Sequence, residues 1–220
     1  MHFYQSNKVT ELGIKTVTWI EYGVDNTVTP QDLDSVRKEY YTRAINNKDN
    51  IDECIAGYYK LRKSVDRSVR RFPPSPLALQ SQFNRKGEIV SISTTVDIYN
   101  LVSLSTGLSI GAHDLSAING DVRLDMTQGN ERFHPIGSEN ERELPAGEYA
   151  YLDEQNQVLC RMEYRQSANT CLTHKNMDCL FIVQGHQDTS HEVLHQTADQ
   201  VSKLLQTWCN SRRGEIWQTP

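Results

Sequence analysis

The sequence has no hydrophobic run that approaches the ~20 residues needed to cross a bilayer, so no membrane-spanning helix is expected. Residues 1–11 lack a basic start and an apolar core, so no secretory signal is expected either. Without export, the five cysteines (Cys54, Cys160, Cys171, Cys179 and Cys209) are expected as reduced thiols of a cytoplasmic protein. They form no CxxC pair and no metal-ligand spacing. The G-x-S-x-G elbow, the P-loop and the Rossmann fingerprint are all missing, so there is no obvious covalent nucleophile or nucleotide site. Repeats and low-complexity segments are missing too. The net charge of −5 argues against a broad basic surface for nucleic acid.

What is present fits one domain or two small ones, and 220 residues bury a proper core without staples. The charge is uneven. Residues 60–71, "KLRKSVDRSVRR", are basic and residues 139–154 are acid-rich, so a patch rather than the whole chain would touch phosphates. Residues 12–24 alternate as a strand. Pro30 suits a helix start, with Leu33, Val36 and Tyr40 following at helical spacing. A second helix is expected over 51–65. The prolines after Arg71 break the basic helix, and Pro76 begins the next one, over 77–83. Residues 149–153 and 158–164 read as a hairpin turned by Gln155, Asn156 and Gln157. "DCLFIVQG" (178–185) is a short apolar strand fit for burial. An amphipathic helix follows, capped by Thr189 or Ser190. Strands and helices intersperse without regular βαβ alternation, which predicts an α+β fold: a mixed sheet with helices packed on one side.

Residues 90–120 organise the rest. Extended, β-branched residues 92–95 lead into a helix over 96–105, with Ile98, Leu101 and Val102 on its apolar face. Thr94 or Thr95 suits the cap and Gly107 the stop. Asp97, Asn100 and Ser103 draw a polar stripe, and "IGAHDL" is expected to turn tightly and present His113 and Asp114. Asn100 both donates and accepts, and His113 is expected to titrate near neutrality. With Asp97, Ser103 and Asp114 they suit holding a water against an ester carbonyl. They equally suit a local job, tying down the following loop.

Arg161, Glu163 and Arg165 fall two apart, which places them on one face of a strand with Gln166 beyond. If that face lines a pocket, the arginines suit a phosphate or carboxylate and Gln166 a base or amide; otherwise it is a solvated charged face. His191 and His195 stand at i, i+4 in "HEVLH" (191–195), which spells H-E-x-x-H, a possible metal pair; a solvated helix face is the expected reading. No metal or other cofactor is expected. Cys160 and Cys179 sit within strands and are expected to be buried.

The pattern Val96-Asp97, Asn100, an apolar run, Gly107, Asp114 and "ING" at 118–120, continued by "GEYAYLDEQNQVLCRMEYRQS" and "DCLFIVQG", resembles the tRNA-editing module of the phenylalanyl-tRNA synthetase beta subunit. That module is formed by the subunit's third and fourth B-type domains. The resemblance extends from about residue 76 to 210, and more loosely to the N-terminus. It implies the fold of that module, with 76–220 as an editing-module-like core and 1–75 as a strand-plus-helices segment packed on it.

The resemblance further implies a free-standing, trans-acting hydrolase that deacylates mischarged aminoacyl-tRNA by water attack, with no metal. Asn100 and His113 would be catalytic. Asp97, Ser103, Asp114, Arg161, Arg165, Gln166 and Gln184 would contact the substrate, and residues 60–71 would meet the tRNA backbone. The partner would be tRNA, the acceptor end of aminoacyl-tRNA, or a free amino acid. The alternative is a non-catalytic module that binds tRNA, an amino acid or a metabolite. Two positions depart from the pattern. Gly111 stands where the synthetase module commonly has histidine, and His113 where it has an aromatic. No carboxylate occurs near 182–184, where that module reads the tyrosine hydroxyl, so tyrosine is not the expected amino acid.

Overall fold

The computed structural model describes residues 1–29, 33–173, 175 and 177–220; Pro30, the expected helix start, lies outside them. In chain order the elements begin with β1 (Phe3–Gln5), α1 (Asn7–Glu11), β2 (Lys15–Val24), α2 (Asp34–Asn46), α3 (Lys48–Ser64) and α4 (Ser75–Lys86). Then come α5 (Thr94–Thr106), β3 (Ser109–Asp114), β4 (Val122–Met126), β5 (Arg132–Phe133), β6 (Arg142–Glu143) and β7 (Tyr149–Leu152). The chain closes with β8 (Val158–Arg161), β9 (Arg165–Gln166), β10 (Met177–Gly185), α6 (His191–Cys209) and β11 (Arg212–Gln218). The class is α+β, as expected. The strands, however, divide into two main sheets: β11-β2-β10-β3, all antiparallel, and β1-β4-β7-β8-β9, mixed because β1 runs parallel to β4. A small β5-β6 ribbon meets the second sheet through an isolated Arg132–Gln157 bridge and packs Phe133 with Ala150, Leu152 and Val158.

The four-stranded sheet is the middle layer. Cys179, Phe181 and Val183 of β10 pack with Val17, Trp19 and the apolar faces of α2, α5 and α6. Leu180 and Ile182, on the opposite face, pack with Val122, Leu124, Tyr149 and Tyr151 of the second sheet. Successive strand residues face opposite ways, so covering both faces requires the continuous apolar run of 179–183. Trp19 stacks on Phe181 at 5.2 Å. No helix among the described residues is long and apolar enough to cross a membrane.

Three local expectations change. Helix α5 starts two residues early, because Ser93, not Thr94 or Thr95, accepts from Val96 N. Both threonines are engaged elsewhere: Thr94 Oγ1 donates to Val28 O at 2.6 Å and Thr95 N to Asn26 Oδ1 at 3.3 Å, both in the loop after β2, while Thr95 Oγ1 lies 3.8 Å from Cys209 Sγ. The "IGAHDL" segment is not a tight turn. Ser109–Asp114 is the edge strand β3, paired with β10, and the turn comes after it at Leu115–Ala117. Finally, Arg161, Glu163 and Arg165 do not share a strand face. β8 ends at Arg161, and Met162 adopts φ 52°, a left-handed conformation that breaks the alternation.

Candidate functional site

A cavity of about 170 Å³ lies between the two sheets and is bordered by α5 and the start of α4. An apolar cavity of about 150 Å³ holds a benzene ring, so this one has room for a single ring-sized group. Each wall follows from local structure. Register pairs Ser109 with Gln184, Gly111 with Ile182 and His113 with Leu180, so all three β3 residues face the second sheet. Gly111 leaves a gap there: nothing lies within 4 Å of the place its Cβ would take. Helix α5 brings Tyr99 and Asn100, the Met162–Tyr164 turn brings Glu163, and β9 brings Arg165 and Gln166.

The floor of the cavity is a buried polar network, in which Arg62 Nη2 has no hydrogen-bond partner among the described residues. Arg62 Nη1 lies 2.7 Å from Glu163 Oε1. Glu163 Oε2 accepts from the Tyr149 hydroxyl at 2.6 Å and from Gln184 Nε2 at 2.9 Å. Gln184 Oε1 accepts from the Tyr151 hydroxyl at 2.6 Å. Burial pushes the Tyr149 and Tyr151 phenols well above their ordinary value, so both remain donors. A carboxylate therefore does reach Gln184, from the turn after β8 rather than from β10 itself.

The upper polar groups are different. Gln166 Nε2 donates to Ala112 O and lies 3.2 Å from His113 Nδ1, while Thr170 Oγ1 is 2.9 Å from the same nitrogen. An amide nitrogen only donates, so Nδ1 is the acceptor and Nε2 carries the proton. That Nε2–H makes no hydrogen bond among the described residues. Nor does the side-chain amide of Asn100, which is half-buried on the cavity wall.

His113 does not titrate near neutrality. It is 1% exposed, and burial pushes it down to about 3. Between that value and the ordinary one near 6.5, the unfolded chain takes up a proton that the native chain refuses. Stability therefore falls as pH drops through this window, by about 2 kcal/mol between pH 7 and pH 5. His186, also lowered by burial, acts in the same direction. Urea unfolding at the two pH values checks this. His113→Phe should remove about 2 kcal/mol of the difference, and an unchanged difference would contradict it.

Of the residues singled out in the sequence, Asn100, His113, Arg165, Gln166 and Gln184 line this cavity. Asp97, Ser103, Asp114 and Arg161 do not. Asp97 accepts from Ile92 N at 2.8 Å and pairs with Arg37 at 2.7 Å, which fixes the entry to α5. Ser103 Oγ donates to Leu108 O at 2.6 Å and closes the exit of α5. Asp114 accepts from Ser116 N at 2.9 Å and caps the turn after β3. Arg161 lies on Glu148, with Nε 2.6 Å from Oε2 and Nη2 2.7 Å from Oε1. Sequence reasoning missed Arg62, Tyr151 and the inward aim of Glu163.

A second grouping looks catalytic and is not built for it. Cys54 Sγ lies 3.9 Å from His186 Nε2, and Asp188 lies 3.9 Å from Nδ1. Asp188 N donates to Nδ1 at 3.3 Å, so the proton sits on Nε2, which donates to Cys54 O at 2.8 Å. No lone pair is left to accept the thiol proton, and burial pushes Cys54 up to about 12. His191 and His195 reach the C-terminal strand, with Nε2 atoms 2.9 Å from Thr219 O and 2.6 Å from Gln218 Oε1.

Comparison with known proteins agrees with the architecture. A family model described as the B3/4 domain matches residues 58–210. The phenylalanine–tRNA ligase beta subunit of Pseudomonas fluorescens (strain Pf0-1) is 38% identical over 69 residues, 31% of this chain and 9% of that one. The subunit of Pseudomonas syringae pv. tomato (strain DC3000) is 36% identical over 69 residues, with the same shares. The chain thus matches a small fraction of the length of these relatives. An N-terminal fragment of the phenylalanyl-tRNA synthetase beta subunit from Pyrococcus horikoshii matches 100% of this chain and 54% of its own, with TM-score 0.58 and 12% identity. At that identity the likeness is one of fold.

Proposed function

The chain belongs to the B3/4 domain family, and from that premise we propose that it is a trans-acting, editing-type hydrolase that removes a wrongly attached amino acid from tRNA in the cytoplasm. One observation carries the proposal. The Asn100 amide and the His113 Nε2–H, two polar groups without protein partners among the described residues, border one ring-sized cavity.

The amino-acid side chain would enter against the gap at Gly111 and above the Glu163 network. The ester would then lie beside Asn100 and His113. Neutral His113 would polarise the carbonyl by donating from Nε2 rather than act as a base. Asn100 would hold the water or the terminal ribose. An aminoacyl ester is already activated, so positioning and a preorganised donor are the main requirements. Arg165, exposed at the rim over the Tyr164 ring, suits the nucleotide side of the ester. Incubation with a panel of mischarged tRNAs tests the reading, and release of none of the amino acids would remove it.

One observation favours a second reading, a binding module without chemistry. Glu163 Oε2 accepts from Tyr149 and Gln184, its Oε1 faces the Arg62 guanidinium, and His113 Nδ1 is occupied, so neither side chain is placed as a ready base for water. That reading predicts saturable binding without ester cleavage.

Both readings place the ligand in the same space, so Gly111→Leu should block either. Nothing lies within 4 Å of the added Cβ and the cavity opens beyond it, so the unfolding free energy should stay within about 1 kcal/mol of the parent. Turnover or binding should fall at least about tenfold. Full function with a leucine there would place the ligand elsewhere.

A further inference from the structure

Strand β3 is an outer strand of the four-stranded sheet, and the unpaired backbone groups of such an edge have to be covered. Residues 166–170 cover it. Asp114 N donates to Thr170 O at 2.9 Å, and the Gln166 side chain reaches Ala112 O. The same two residues also turn inward, onto the imidazole of His113. Thr170 Oγ1 lies 2.9 Å and Gln166 Nε2 3.2 Å from His113 Nδ1. Thr170 and His113 are 4% and 1% exposed, so bulk water does not compete for these contacts. The Thr170 hydroxyl has no other hydrogen-bond partner among the described residues.

The direction of every bond here follows from one carbonyl. Ala112 O can only accept, so the end of the Gln166 amide that faces it is the nitrogen. That nitrogen carries two hydrogens, one for Ala112 O and one for His113 Nδ1. A proton on Nδ1 would meet the second of them head-on, so Nδ1 keeps its lone pair. The Thr170 hydroxyl rotates to donate to the same lone pair. A neutral imidazole has a single N–H, which is thereby confined to Nε2. Nε2 is the ring nitrogen without a protein partner, and His113 borders the cavity.

We propose that Thr170 and Gln166 are positioning residues that lock His113 in its Nε2–H tautomer, so that the cavity meets a donor there and never an acceptor. Which nitrogen of a histidine carries the proton is set by the hydrogen bond that the other one makes. Without a fixed partner at Nδ1 both tautomers are open to the ring. The Nδ1–H form would turn a lone pair toward an ester carbonyl, where a preorganised donor is needed. Gln166 thus acts through His113, with both amide hydrogens committed, and does not read a base. The assignment rests on the hydrolase reading for its consequence, a carbonyl polarised from Nε2, but not for the position of the proton.

Nitrogen NMR of the full chain with isotope-labelled histidine reads the proton's position directly, and the His113 signals are those missing from His113→Phe. At about pH 7 the parent should show one His113 form, protonated on Nε2. A proton on Nδ1 would overturn the assignment. Thr170→Val keeps the side-chain shape and the backbone bond to Asp114 but loses the hydroxyl. Combined with Gln166→Leu, it should let an Nδ1–H form appear, and a double variant still wholly protonated on Nε2 would equally overturn the lock. Should urea unfolding show that the double variant does not fold, the single variants decide: Thr170→Val should shift the His113 Nδ1 signal and Thr170→Ser should leave it in place. In turnover, Thr170→Val should lower kcat for aminoacyl-tRNA about tenfold with KM held within about twofold, and Thr170→Ser should stay near the parent. Equal losses in the two variants would make Thr170 a packing residue and defeat its positioning role. A parent that cleaves no aminoacyl-tRNA defeats the hydrolase reading, and the spectra still decide the tautomer.

Discussion

Glu163→Leu is expected to lower the unfolding free energy by about 3–5 kcal/mol, the cost of leaving a buried arginine without its counter-charge. Arg62 and Glu163 side chains are 0% and 1% exposed, so water cannot replace the lost partner. The Tyr149 hydroxyl and Gln184 Nε2 lose their acceptor in the same step, each adding a desolvated donor. The pair itself need not be strongly stabilising, since burying two charges costs nearly what their attraction returns. The double variant Arg62→Met with Glu163→Leu should therefore recover most of the loss. Urea unfolding of the two singles and the double, compared at a common slope, reads the coupling. A Glu163→Leu penalty under about 1 kcal/mol would show that the network does not hold the cavity floor.

The same turn explains what the sequence did and did not disclose. The helix that carries Asn100 was legible from its apolar spacing and end signals, whereas His113 was expected in a tight turn and lies instead on the edge strand β3. The cap at Ser93 and the left-handed Gly107 then fix that helix within a residue or two. The middle layer was partly legible: the unbroken apolar run of β10 signalled a buried strand, but not a second sheet above it. Strand β11 was not legible at all, because "RRGEIWQ" is a polar edge strand whose pairing with β2 supplies the order that its composition does not.

The site's acidic member was hidden for a different reason. Two-residue spacing assigns Arg161, Glu163 and Arg165 to one face only while the backbone stays extended. Met162 at φ 52° ends that regime, at a cost of about 1–2 kcal/mol for a residue with a side chain. Arg161 then turns to Glu148, Glu163 to the interior and Arg165 to the rim. Nothing in the local composition distinguishes Met162 as the break. Its neighbours reveal it only once Arg62, Tyr149 and Gln184, brought together by three separate elements, supply the partners that make burial of a carboxylate tolerable.

Asn100→Ala is expected to lower kcat/KM for aminoacyl-tRNA about 100-fold, in the range found when a positioned donor to a developing oxyanion is removed. The loss should be almost wholly functional. The Asn100 side chain makes no hydrogen bond among the described residues, and alanine is the better helix former at a mid-helix position of α5. The unfolding midpoint should therefore hold or rise slightly. Asn100→Asp distinguishes the two jobs that the amide can do. Aspartate keeps the acceptor that could hold a water but loses both N–H donors and adds charge beside the ester. If the amide donates to the carbonyl, aspartate should be as damaging as alanine or worse. If it accepts from the water, aspartate should retain much of the rate. In neither variant should a limb near pH 6.5 assignable to His113 appear in the rate profile, because His113 stays neutral down to about 3. A loss confined to binding, with turnover untouched or never present, would move the assignment to the non-catalytic module. In that case, the unpartnered amide serves to recognise the ligand rather than to cleave it.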